Sequence, residues 1–204
     1  MSAQKVFLFD FDGVVVDGMN EYWHSSLLAC EKFLNLPYIA FDQTLYQKVP
    51  DTFKEIRPWV KYGWEMVLIV HEIIKSDNQL GICNKDDFIN KYNQNCRTIL
   101  KENSWNAEDL QKILDASRKY QIDNDFETWV NLHNPFFEVM SFMGELKKRK
   151  IKTGIITTKG KIFAEKILKQ LNIFPEFIFG YESGTKIKIA EELIKVYEIL
   201  GFIE

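Results

Sequence analysis

Cysteine is scarce: Cys30, Cys83 and Cys96 are the only three in 204 residues. They are odd in number and match no CxxC or Cys/His metal spacing, which excludes a disulfide framework and a structural zinc knot. The expectation is three reduced, mostly buried thiols in a reducing compartment, hence a cytoplasmic protein. Long apolar runs are missing as well. Nowhere do about 18 uninterrupted apolar residues occur, and MSAQKVFLFDFDG has neither the h-region nor the cleavage site of a secretory signal, so no membrane passage is expected. Charge of one sign is not in excess. The 26 basic and 29 acidic side chains leave a formal charge of -3, so nothing advertises nucleic-acid or anionic-membrane binding. His24, His71 and His133 form no HExxH or HxH spacing, no GxSxG elbow is present, and Gly184 to Lys188 lacks the spacing of a P-loop. Zinc chemistry, a serine nucleophile and nucleotide-driven phosphotransfer are therefore disfavoured.

What is present is material for a core, since 46% of the chain is hydrophobic. KVFLFDF reads as a strand buried on both faces, followed by a turn at Gly13. Then the pattern changes. WHSSLLACEKFL, WEMVLIVHEIIK, DDFINKYNQNCRTILK and AEDLQKILDASRKYQI all carry apolar residues at helical spacing. Beyond Pro135, FFEVMSFMGELKKRK (helix), IKTGIITT (strand), KIFAEKILKQLN (helix), FIFG (strand), TKIKIAEELIKVYE (helix, with Thr185 as N-cap) and ILGFIE (strand) alternate. Alternation of this kind predicts an α/β core with a parallel sheet. The core is expected over residues 1–15 and 134–204, with an all-helical domain inserted over 16–133.

FLFDFDGVVVD sets Asp10 and Asp12 directly after the first strand. In an open parallel sheet ligands bind at the carboxyl ends of the strands. Two carboxylates that close repel unless a cation or a proton lies between them, and a hard dication serves that purpose. A second strand ends in Thr157 and Thr158, whose hydroxyls are donors suited to an anionic oxygen.

With these residues in view, DFDGVVVD resembles the first signature of the haloacid dehalogenase-like superfamily. The resemblance implies a Rossmann-like three-layer core with a C1-type helical cap, and a Mg²⁺-dependent phosphohydrolase acting on a small phosphate monoester. It implies that Asp10 is the nucleophile and a Mg²⁺ ligand. Asp12 would be the general acid and base, with its main-chain carbonyl on the metal, and Gly13 would adjoin the substrate. GIITTKG is similar to the second signature and assigns Thr157 to a phosphoryl oxygen, with Thr158 as a further contact. The family's lysine falls on Lys186 or Lys188 of GTKIKIAEEL, and the sequence does not choose between them. The acids that follow the next strand in the family are missing apart from Glu204, so a truncated polypeptide or an incomplete gene product, with weak Mg²⁺ binding, is the expectation. Trp23, Phe53, Lys54, Arg57, Trp59, Lys61, Trp64 and His71 are candidates to meet substrate from the cap, although aromatics at helical spacing are more often packing. Two other functions keep the same residues: a phosphomutase, and a catalytically silent binding protein. Nothing in the sequence sets an oligomeric state.

Overall fold

The computed structural model describes residues 4–34, 43–75 and 85–204; Cys83 lies outside the described residues. In chain order the elements begin with strands β1 (Gln4–Phe9) and β2 (Val16–Asp17). Among the described residues the α-helices that follow are α1 (Met19–Leu28), α2 (Asp51–Ile56), α3 (Gly63–Lys75), α4 (Lys85–Asn90), α5 (Tyr92–Glu102), α6 (Ala107–Asn124) and α7 (Phe126–Asn131). Then come β3 (Asn134–Pro135), α8 (Phe137–Lys148), β4 (Lys152–Ile156), α9 (Lys161–Gln170), β5 (Phe177–Phe179), α10 (Lys186–Leu193) and β6 (Tyr197–Ile203). The chain divides into two compact units, Met1–Gly18 with His133–Glu204, and Met19–Leu132.

The first unit is an α/β fold built on a parallel sheet of order β5-β4-β1-β6. β1 runs through its middle, and Val6, Leu8 and Phe9 are buried because neighbours cover both faces. The register pairs Phe9 with Ile155 on one side and with Ile203 on the other. All four strands therefore end at one edge, where backbone groups released from the ladder are open to a ligand. The short antiparallel pair β2–β3 joins Val16 to Pro135 and Asp17 to Asn134, linking the chain just before the helical segment to the chain just after it.

Two segments depart from the sequence expectation. The helix foreseen over TKIKIAEELIKVYE stops at Leu193, and the strand begins at Tyr197. VYEILGFI is β-branched and aromatic, and its ladder with β1 from Gln4↔Tyr197 to Phe9↔Ile203 outweighs another turn of helix. DDFINKYNQNCRTILK forms two helices, because Lys91 leaves helical geometry at φ -119 and ψ 29. The Asn95 amide donates to the Phe88 carbonyl at 3.1 Å, satisfying an acceptor at the break.

The second unit is all-helical. From Glu65 to Ile74 every residue of α3 is buried, as expected of a helix apolar around most of its circumference. Trp23, Phe53, Ile56, Phe88 and Leu114 pack with it in one core. Trp23, Phe53 and His71 are thus packing residues, each under 5% exposed, whereas Trp59 keeps half its surface in solvent. A buried ion pair crosses this core: Arg118 Nε donates to Glu21 Oε1 at 2.7 Å and Nη2 to Oε2 at 3.1 Å. Ser25 Oγ donates to the same carboxylate at 2.6 Å. Cys30 and Cys96 are buried and unbridged. Burial pushes the Cys30 thiol well above its ordinary value, and chiefly burial, reinforced by the charge of Glu65, raises Cys96 to about 12. No helix among the described residues is long and apolar enough to cross a membrane.

Candidate active site

Asp10 is the first residue beyond β1 and remains tied to the sheet, its amide donating to the Ile203 carbonyl at 2.8 Å. Its Oδ1 accepts the Phe11 amide at 2.7 Å, which fixes the rotation of the carboxyl group. The chain then turns sharply. The Val15 and Val16 amides both donate to the Phe11 carbonyl, and the Gly13 amide donates to the Val16 carbonyl at 2.7 Å. Gly13 lies at φ +85, a conformation costly for residues with a Cβ. Phe11, Val14, Val15 and Val16 are buried and anchor the turn, while Asp12 between them is only partly covered.

β4 supplies the neighbouring position. Because Phe9 pairs with Ile155, Asp10 leaves β1 beside Ile156, the last residue of β4, and Thr157 lies one residue on. Thr157 is 3% exposed and its amide donates to the Phe179 carbonyl at the end of β5. Its Oγ1 accepts the Lys159 amide at 3.0 Å, so the hydroxyl hydrogen is left to donate elsewhere. Thr158 is exposed and in no bonded contact among the described residues.

α10 carries both candidate lysines and places them differently. Lys186 Nζ lies 2.6 Å from Asp10 Oδ2 and 2.7 Å from Glu204 Oε1, so one ammonium is shared by two carboxylates. Lys188 is exposed, and its amide donates to Thr185 Oγ1 at 3.3 Å in the N-cap of the helix. Lys159 was not singled out in the sequence. Its side chain is 1% exposed and its Nζ lies 3.4 Å from Asp12 Oδ1. The signal available was a lysine two residues past the threonine that follows an apolar strand.

Burial is the strongest influence on Asp10 and raises its carboxyl above the ordinary value, helped by the charge of Asp12; the Lys186 ammonium and the Phe11 amide pull the other way. For Lys186, burial favours the neutral amine, but the hydrogen bonds to Asp10 and Glu204 outweigh it and raise its pKa. Both groups therefore hold their protons more tightly than in water, and Lys186 is a fixed cation at neutral pH.

The oxygen donors at this edge are the Asp10, Asp12 and Glu204 carboxylates and the Asp12 carbonyl, on which no backbone hydrogen bond among the described residues ends. These are hard ligands, of the kind that suit Mg²⁺ rather than zinc or copper. Among the described residues no group of three or more His, Cys, Asp or Glu is arranged to hold a metal. The donor set fits an ion that keeps several of its waters, as Mg²⁺ does.

A family model described as haloacid dehalogenase-like hydrolase matches residues 4–200. No curated protein matches the sequence. Among solved structures, a predicted phosphatase from Clostridium acetobutylicum is 15% identical, with 98% of this chain and 76% of that one covered at a TM-score of 0.55. A haloacid dehalogenase-like family hydrolase from Streptococcus pneumoniae is 18% identical, covering 100% of this chain and 76% of its own at 0.52. A phosphatase from Thermococcus thioreducens is 14% identical, with 93% and 79% covered at 0.52. At such identities the likeness is one of fold.

Proposed function

The chain belongs to the haloacid dehalogenase-like hydrolase family, and from that premise we propose that it is a phosphatase that hydrolyses a small phosphate monoester through a phosphoryl group carried on Asp10. The observation that carries the reading is the contact of Lys186 Nζ with Asp10 Oδ2 at 2.6 Å, with a second carboxylate, Asp12, two residues further on. A carboxylate about to attack a phosphate dianion faces charge repulsion, and a cation held at its other oxygen is the simplest relief.

In this reading Asp10 Oδ attacks phosphorus, the bond from phosphorus to the ester oxygen breaks, and the departing oxygen takes its proton from Asp12. Asp12, now a carboxylate, accepts a proton from water as that water attacks phosphorus. The bond from phosphorus to Asp10 breaks, and inorganic phosphate leaves. Thr157 donates its hydroxyl hydrogen to a non-bridging phosphoryl oxygen, and Lys186 neutralises charge that accumulates between nucleophile and phosphate. Asp10 and the Asp12 carbonyl would hold Mg²⁺, which when bound supplies further positive charge to the phosphoryl oxygens. The helical segment inserted between β2 and β3 is the part we assign to substrate choice, and the phosphatases of similar fold are consistent with a phosphorylated metabolite as substrate.

The test is release of phosphate from a panel of monoesters with Mg²⁺ or with a chelator, together with intact-mass detection of a phosphorylated chain after acid quench. Turnover that needs Mg²⁺, with a phosphoryl adduct on Asp10, is expected. Turnover without any adduct would overturn the covalent route, and no turnover on any monoester would overturn the phosphatase.

A further inference from the structure

Lys159 is the most deeply buried ammonium at the carboxyl edge of the sheet. An amine so covered is costly to keep charged unless a counter-charge meets it. Asp12, itself 11% exposed, brings such a counter-charge, with Oδ1 3.4 Å from Nζ. No other side chain among the described residues forms a hydrogen bond or ion pair with Asp12. The lysine's own backbone is pinned on both sides. Its amide donates to Thr157 Oγ1 at 3.0 Å, its carbonyl accepts the Tyr181 amide at 3.3 Å, and the Lys161 amide beyond it donates to Glu182 Oε1 at 3.1 Å. The root of the side chain is therefore a fixed point from which the ammonium reaches the Asp12 carboxylate.

We propose that Lys159 is a positioning residue for Asp12, holding the carboxyl group where it can pass a proton to the leaving oxygen, while its amide sets the rotamer of the Thr157 hydroxyl. This rests on the phosphatase reading given above. The pair separates two parts of the chemistry. Lys186 serves the attack on phosphorus, and Lys159 serves the proton transfer that follows the other bond. Proton transfer matters in proportion to the basicity of the leaving oxygen. An alkoxide cannot leave without a proton, whereas p-nitrophenolate is a good leaving group unaided.

The experiment compares kcat/KM for p-nitrophenyl phosphate and for an alkyl phosphate such as glycerol phosphate, in the wild-type chain, Lys159→Met, Lys159→Gln, Asp12→Asn and the double variant Lys159→Met/Asp12→Asn. Lys159→Met is expected to lose about 10²-fold on the alkyl ester, within the range of a misplaced general acid, and far less on the aryl ester. The double variant is expected to be no slower than Asp12→Asn alone, because a residue that acts through Asp12 has nothing to position once the acid is gone. Equal losses on both esters, or losses that multiply in the double variant, would overturn the proposal and make Lys159 a substrate contact or a prop of the fold. Circular dichroism and thermal midpoints accompany the rates. If both single variants at position 159 fail to fold, the lysine is structural and the proposal is also overturned. If the wild-type chain hydrolyses neither ester, the phosphatase reading fails first; with the wild type active, the ratio of the two esters decides.

Discussion

Lys186 and Asp10 are 176 positions apart in sequence, yet Nζ and Oδ2 meet at 2.6 Å where α10 begins and β1 ends. Lys186→Met should lower phosphatase turnover by roughly 10²- to 10³-fold, the usual cost of removing one preorganised charge partner of the transition state. Lys188→Met, which removes an exposed side chain, should leave turnover near the wild-type rate. Steady-state kinetics of the two variants settles the assignment, and equal effects would remove Lys186 from its role.

The two acids should differ in kind. Asp10→Asn keeps the shape of the side chain but cannot form an acyl phosphate, so turnover and the phosphoryl adduct should both vanish while the circular dichroism spectrum is unchanged. Asp12→Asn should still accumulate adduct from an aryl phosphate, with turnover slowed by roughly 10²- to 10⁴-fold. Quench and intact-mass measurement distinguishes the two.

Gly180 couples the fold to the site. A Cβ there would lie 2.3 Å from the Lys161 amide nitrogen and 2.8 Å from the Lys159 carbonyl oxygen, both backbone atoms that cannot swing aside. Gly180→Ala should cost about 1 to 3 kcal/mol, as overpacking does, and should also reduce turnover because the Lys159 backbone must shift. Urea unfolding and kcat/KM measured on the same preparation check both halves.

In the helical unit, Arg118→Met should destabilise by about 3 to 5 kcal/mol, because it strands the fully buried Glu21 carboxylate without its charge partner. Glu21→Leu/Arg118→Met should recover most of the loss, since burial of apolar groups replaces burial of two charges. Denaturant midpoints of the three proteins decide; a double variant as unstable as the single one would show that the polar network with Ser25 is required for the core.

Acid should weaken the same unit through His24. Burial holds its pKa below the ordinary 6.5, against the raising effects of the Tyr46 backbone and the Glu21 charge. The unfolded chain therefore takes up the proton first as pH falls. Stability is complete above the unfolded value and declines as pH drops through it toward the folded one. His24→Gln should flatten the pH dependence of the thermal midpoint below the ordinary histidine value of about 6.5.

Much of this was legible in the sequence. The fold class followed from hydrophobic spacing, because period 2 and period 3.6 are written locally and change abruptly on either side of the helical segment. Asp10, Asp12 and Thr157 follow apolar strands at boundaries marked by polar residues, and the resemblance of DFDGVVVD and GIITTKG to the family's signatures nominated them. Three things needed the tertiary structure. Lys186 and Lys188 are two residues apart on a helix and so face different ways, and only the docking of α10 against β1 sets which one meets Asp10. The end of that helix was placed too late, at the end of KVYE, because VYEILGFI suits either state until β1 offers a ladder partner. Lys159 was invisible because a loop lysine is ordinarily solvated; its burial comes from the packing of the β4 and β5 ends around it, an interaction between residues distant in sequence that no local pattern encodes.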